Sequence, residues 1–219
     1  MYDLQIEALQ PADSCVIWLH GLGAGSSDFE PVARMLQKTL PATRFILPQA
    51  PMRAMTVNGG YTMPSWYDIL RMEHNIRQVN LLDLNQSCDH IINLLEQQIA
   101  QGIPAQRLVL AGFSQGGAVT LHTAFRRWDR PLAAVLALST YAPDFPPTAQ
   151  YSTHKHPTLC MHGTQDDVVS PELGKAAFAQ LQQLQQPVTW HDYPMQHEVC
   201  LSQIKDIARF LQTHLIETA

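Results

Sequence analysis

Gly112-Phe113-Ser114-Gln115-Gly116 places a serine between two glycines at the spacing G-x-S-x-G. A serine hydroxyl serves as a nucleophile when it stands on a sharp turn between a strand and a helix, with Oγ lifted above the sheet. The residues two before and two after it crowd together on such a turn, so only small side chains fit. Arg107 to Ala111 reads as a strand and Gly116 to Arg127 as a helix, which is the context this chemistry needs. Ser114 is therefore the candidate nucleophile. The bland alternative is a tight glycine turn carrying an idle serine.

A serine nucleophile needs a base within hydrogen-bond reach, and the base needs an orienting acid. When the nucleophile sits on a G-x-S-x-G turn, the chain order is serine, acid, histidine. Of the ten histidines, His122 falls in the helix after Ser114, His191 in a strand and His214 near the end of the last helix. His197 instead lies in a loop, Tyr193-Pro194-Met195-Gln196-His197-Glu198, between the last strand and the last helix, where it can swing over the strand ends. It is the candidate base. The acid should follow the strand Thr158 to Met161, and His162-Gly163-Thr164-Gln165-Asp166-Asp167 offers two adjacent carboxylates. Only one can point inward. Asp166 is favoured, but the residues alone do not separate the pair, and the other carboxylate is free to cap the helix near Pro171.

Acyl transfer also needs two N–H donors for the developing oxyanion, each worth about 10²–10³ in rate. The residue after the nucleophile, Gln115, supplies one. The loop His20-Gly21-Leu22-Gly23-Ala24-Gly25, after an early strand, fits the second, with Leu22 as donor. A phosphate-cradling loop is the rival, but the lysine of GxxxxGK[ST] and the spacing of GxGxxG are both missing.

These residues need a scaffold, and the pattern supplies one. Apolar runs at Cys15 to Leu19, Arg44 to Leu47, Leu108 to Ala111, Leu132 to Leu138, Thr158 to Met161 and Val188 to His191 read as strands. Helical patterns alternate with them: Asp28 as a cap for a helix through Val32, Leu36 and Leu40, then Leu81 to Ala100, Gly116 to Arg127, Pro171 to Leu184 and Val199 to Leu215. Met52 to Trp66, with Asn58-Gly59-Gly60 and Pro64, shows no period and reads as a long loop. Alternation of this kind predicts an α/β fold with a mostly parallel central sheet covered by helices on both faces. Ligand sites in such sheets form at the carboxyl ends of the strands, where every candidate above falls.

The chain has 219 residues, 46% hydrophobic and 15% charged, with a net charge of −5. That suits one globular domain spanning residues 1–219. It carries no basic footprint for nucleic acid. Cys15, Cys88, Cys160 and Cys200 are scattered without a CxxC pair, so no zinc site is expected. The first residues lack a secretory pattern and no apolar run approaches the ~20 residues of a membrane span. A cytoplasmic location without stable membrane insertion is the default expectation.

His20-Gly21-Leu22-Gly23, Pro48-Gln49-Ala50-Pro51, Met63-Pro64-Ser65-Trp66-Tyr67-Asp68, Gly112-Phe113-Ser114-Gln115-Gly116-Gly117 and His162-Gly163 with Asp166 occur in one order along the chain. Together they resemble the carboxylesterase / acyl-protein thioesterase family, also described as phospholipase/carboxylesterase, and the small bacterial carboxylesterases in particular. The resemblance implies an α/β-hydrolase fold, a triad of Ser114, Asp166 and His197, and oxyanion donors at Leu22 and Gln115. It selects Asp166 over Asp167, because the family acid stands three residues after the His-Gly glycine. Gln196 departs from the glycine common before the family histidine, and its side chain could crowd the base loop or narrow the acyl pocket.

The resemblance places the segment Met52 to Leu70 over the strand ends. Met63, Trp66, Ile69 and Leu70 are the candidate substrate-binding residues there, although Trp66 and Tyr67 have the size of loop anchors. The implied reaction is hydrolysis of a small-molecule ester or acyl thioester, with no metal or organic cofactor. Lysophospholipase and acyl-protein thioesterase activities are the enzymatic alternatives. A non-catalytic binding protein on the same fold would show a lost triad member, and none is lost here. Homodimerisation is family behaviour that these residues do not themselves derive.

Overall fold

A computed structural model describes residues 3–73, 76–146 and 148–216. Its described residues form a seven-stranded sheet and two small hairpins. In chain order the strands are β1 (Leu4–Ile6), β2 (Ser14–Leu19), β3 (Thr43–Leu47), β4 (Met52–Met55), β5 (Tyr61–Pro64), β6 (Ile69–Glu73), β7 (Ile76–Val79), β8 (Leu108–Phe113), β9 (Ala134–Leu138), β10 (Thr158–Gly163) and β11 (Val188–Tyr193). The helices are α1 (Glu30–Gln37), α2 (Leu81–Ala100), α3 (Gln115–His122), α4 (Pro171–Gln183) and α5 (Leu201–Leu215).

The sheet order is β1-β3-β2-β8-β9-β10-β11. Only β1 runs antiparallel to its neighbour; the other pairs are parallel. From β2 the chain turns outward to β3, and it later returns to β2's other side as β8. Order therefore reverses at β2, and a crevice opens beyond the carboxyl ends of β2 and β8.

Period-two alternation divides the core. Cys15, Ile17 and Leu19 of β2 face a layer containing Leu84 and Ile91 of α2, Val119 of α3 and Leu181 of α4. Val16 and Trp18 face the other layer, with Leu36 of α1 and Ile207 and Leu211 of α5. Each fully buried aliphatic side chain contributes roughly 1.5–3 kcal/mol. β2 and β8 are buried on both faces and form the rigid floor on which the crevice is built.

Three expectations are corrected. Met52 to Trp66 is not a plain loop: β4 and β5 pair as an antiparallel hairpin, turning at Gly59 and Gly60 with φ of +64° and +84°. A second hairpin, β6–β7, follows. Asp28 does not cap α1; Phe29 holds the cap position without a side-chain bond, Leu40 lies past the helix end, and Asp28 lines the crevice instead. The helix after Ser114 ends as α at His122, and Thr123–Arg127 widens into a π-helical turn.

Candidate active site

Ser114 joins β8 to α3 with φ 55° and ψ −120°. A non-glycine residue held at positive φ is strained, and such strain concentrates at functional sites. The neighbouring glycines make the turn sterically possible. A Cβ on Gly112 would strike the backbone of Gly116, one on Gly116 would strike the carbonyls of Leu19 and His20, and one on Gly117 would lie 2.7 Å from Thr140 Cβ. The Ser114 N–H donates to Leu138 O at 2.9 Å, and Thr140 Oγ1 donates to Ser114 O at 2.6 Å. The turn is fixed from both ends.

Of the two adjacent carboxylates, Asp166 points inward and Asp167 is exposed. Asp166 Oδ1 accepts the N–H groups of Val168 and Val169 at 3.0 and 2.8 Å. Its Oδ2 accepts from His197 Nδ1 at 2.7 Å and stands 3.5 Å from His162 Nε2. Burial opposes ionisation, but hydrogen bonds from His162, His197 and the Val169 N–H outweigh it and hold the carboxyl well below its ordinary range. The hydrogen bond to Asp166 fixes the His197 ring through Nδ1. The His197 ring packs on Phe113, 4.6 Å between centroids, so the residue before the nucleophile also positions the base.

Gly163 lets the acid and base loops meet. A Cβ there would collide with the carbonyls of Met195 and Gln196. Gln165 N–H donates to Met195 O at 3.1 Å and Thr164 N–H to Tyr193 O at 2.8 Å, stitching the two loops together. Gln196 is exposed and does not line the cavity, so it narrows nothing.

The loop expected to hold an oxyanion donor, His20 to Gly25, is braced from behind. His20 is buried; Ala50 N–H donates to its Nε2 at 3.1 Å, which leaves Nδ1–H for Gly21 O at 2.7 Å. Burial lowers its proton affinity, in keeping with a neutral ring. Gly23, at φ +76°, donates its N–H to Pro64 O. The Gln115 side chain accepts the Trp66 N–H at 2.8 Å and donates to Tyr67 O at 2.7 Å. Sequence reasoning missed His20, His162 and Thr140 as supports. His20-Gly21 and His162-Gly163, each at the end of a strand, were the signal for the first two.

Ser114, His197, Leu22 and Gln115 all line one cavity of about 500 Å³. Its apolar walls include Phe29 just before α1 and Val32 within it, Ile69 and Met72 from β6, and Val168 and Val199. Of the four expected substrate contacts, only Ile69 lies on this wall. Trp66 is fully buried, Met63 packs beside Gly23, and Leu70 is exposed. Met72, although half-exposed, also lines the cavity.

The pattern that defines the phospholipase/carboxylesterase family matches residues 4–215. The chain belongs to that family. It is a serine hydrolase of the ester and thioester class. Acyl-protein thioesterase 1 of Mycosarcoma maydis is 36% identical over 215 residues, covering 90% of this chain and 89% of that protein. The protein of the same name from Cryptococcus neoformans is 34% identical over 234 residues, covering 97% of each. Among solved structures, Arabidopsis thaliana SOBER1 superposes with a TM-score of 0.86 at 26% identity, over 92% of this chain and 99% of that one. Esterase PE8 superposes with a TM-score of 0.83 at 25% identity, over 98% and 99%. This family member's four cysteines are unpaired. Burial pushes the Cys15, Cys88 and Cys160 thiols up to about 12. Among the described residues no helix is long and apolar enough to cross a membrane.

Proposed function

We propose that the chain hydrolyses carboxylic esters and acyl thioesters through an acyl-enzyme on Ser114. Ser114 Oγ attacks the acyl carbon while His197 Nε2 takes its proton. Asp166 holds the ring in the tautomer that leaves Nε2 basic and stabilises the imidazolium that forms. The Leu22 and Gln115 N–H groups receive the negative charge on the acyl oxygen. As the intermediate collapses, His197 returns the proton to the departing alcohol or thiol. Water, activated by the same histidine, then releases the carboxylic acid and restores Ser114.

One observation carries the reading. A serine strained at positive φ shares a cavity with a histidine whose Nδ1 is locked at 2.7 Å on a buried carboxylate. The apolar wall suits an acyl chain, and a thiol leaving group is supported by the thioesterase names of the relatives. A fluorophosphonate probe should label Ser114 and no other residue, and labelling should disappear in Ser114→Ala. Retained labelling in that variant would overturn the assignment. The leaving group is read by comparing kcat/KM for an octanoyl oxygen ester and an octanoyl thioester. The thioester should be turned over at a comparable or higher rate, and failure to cleave it would restrict the enzyme to oxygen esters.

A further inference from the structure

A second cavity, of about 300 Å³, lies between the β6–β7 hairpin and α4. Its walls are mixed: Ile76, Ala142, Leu173, Ala176 and Ala177 contribute apolar surface, and Arg77, Tyr141 and Gln180 contribute polar groups. Arg77 and Tyr141 line both this cavity and the active-site cavity. These two side chains therefore form the partition between them.

The two parts of the partition differ. Tyr141 is buried, and its hydroxyl is hydrogen-bonded to that of Tyr67 at 2.6 Å, so it belongs to the core. Arg77 is half-buried on a hairpin strand. Its guanidinium donates to main-chain carbonyls: Glu73 and Ile76 within the hairpin, and Val168 beyond it at 2.6 Å. The bond to Val168 crosses from the hairpin to the loop that follows Asp166. A cation thus stands between the apolar wall of the active-site cavity and the apolar side chains along α4.

We propose that Arg77 sets the length of acyl chain the enzyme accepts, by closing the active-site cavity against the space along α4. The proposal rests on the reading of that cavity as the acyl site. An acyl chain that reaches the guanidinium gains nothing from further methylenes. Each methylene that finds apolar surface instead favours binding by about a factor of four.

The test is kcat/KM across p-nitrophenyl butyrate, octanoate and laurate, below their micellar concentrations. Arg77→Ala should raise the laurate-to-butyrate ratio about tenfold or more. Arg77→Gln, which keeps bulk and one donor, should raise it less. Ala176→Trp fills the second cavity from an exposed helix position, and in the Arg77→Ala background it should return the ratio to the parent value. A ratio unchanged in both Arg77 variants, or rates falling alike for all three esters, would overturn the proposal. Hydrolysis surviving in Ser114→Ala would instead overturn the underlying assignment of the acyl site, which keeps the two failures apart.

Discussion

The indole N–H of Trp66 donates to the main-chain carbonyl of His20 across 2.8 Å. The same residue's backbone N–H donates to Gln115 Oε1 at 2.8 Å. Trp66 thus spans the two segments that carry the proposed oxyanion donors, the His20–Leu22 loop and the first residue of α3. It does not touch the cavity, but it sets the separation of the groups that do. Replacing Trp66 by Phe keeps most of the buried ring and removes one donor. The loss should appear as a fall of about tenfold in kcat with KM little changed, because a displaced oxyanion donor weakens binding of the transition state more than of the substrate. The His20 carbonyl left without its donor should cost roughly 1–3 kcal/mol, read as a lower thermal midpoint.

Asp166 and Asp167 are adjacent in sequence and opposite in environment. Asp166→Asn should lower kcat by about 10³–10⁴, since the amide no longer enforces the Nδ1–H tautomer of His197. Asp167→Asn, at an exposed position, should change kcat by no more than about threefold. Steady-state rates on one activated ester suffice, and a larger loss at Asp167 would reverse the assignment.

Gly163 is needed for space. Both atoms that a Cβ would meet are backbone carbonyls of the base loop, which cannot rotate away as a flexible side chain would. Gly163→Ala should therefore displace Met195 to His197, cost about 3 kcal/mol or more, and lower kcat by over tenfold. Urea unfolding and steady-state rates measure the two effects. A native-like midpoint with full activity would show that the loops are not in contact as described.

Two buried histidines outside the site make stability depend on pH. Burial pulls His122 and His156 down to about 4, with the nearby His154 adding to the effect on His156. In the unfolded chain a histidine titrates near pH ~6.5. Between those values the unfolded chain binds protons that the folded one refuses. The stabilisation is fully present above pH ~6.5 and is lost as pH falls toward about 4. The slope should approach roughly 1.4 kcal/mol per pH unit for each histidine. Urea midpoints taken from neutral pH down to about pH 5 should fall steadily, and less so in His156→Asn, before carboxylate titration intrudes.

Much of the fold was legible because its main signals are local. Runs such as Cys15 to Leu19 are buried on both faces, and Leu81 to Ala100 carries a helical stripe that the structure reproduces with Asn80 as its cap. The turn at Ser114 was legible because its glycines stand at a fixed short spacing around the serine, between a buried strand and a helix. The hairpins were not. β4 and β6 are largely exposed, so burial imposes no alternating pattern on them. The cavity wall was least legible. Phe29, Met72, Val168 and Val199 are distant in sequence and converge only through tertiary packing. Trp66 was expected at the substrate because of its neighbours in sequence; its hydrogen bonds place it behind the oxyanion loop instead.

The central claim is that Ser114 carries the acyl group. Rapid-quench intact-mass analysis during turnover of p-nitrophenyl octanoate tests it most directly. A burst of nitrophenol should appear, with a transient octanoyl adduct that maps by peptide sequencing to Ser114. Adduct and turnover should vanish together in Ser114→Ala. An adduct on another residue, or hydrolysis persisting in Ser114→Ala, would contradict it.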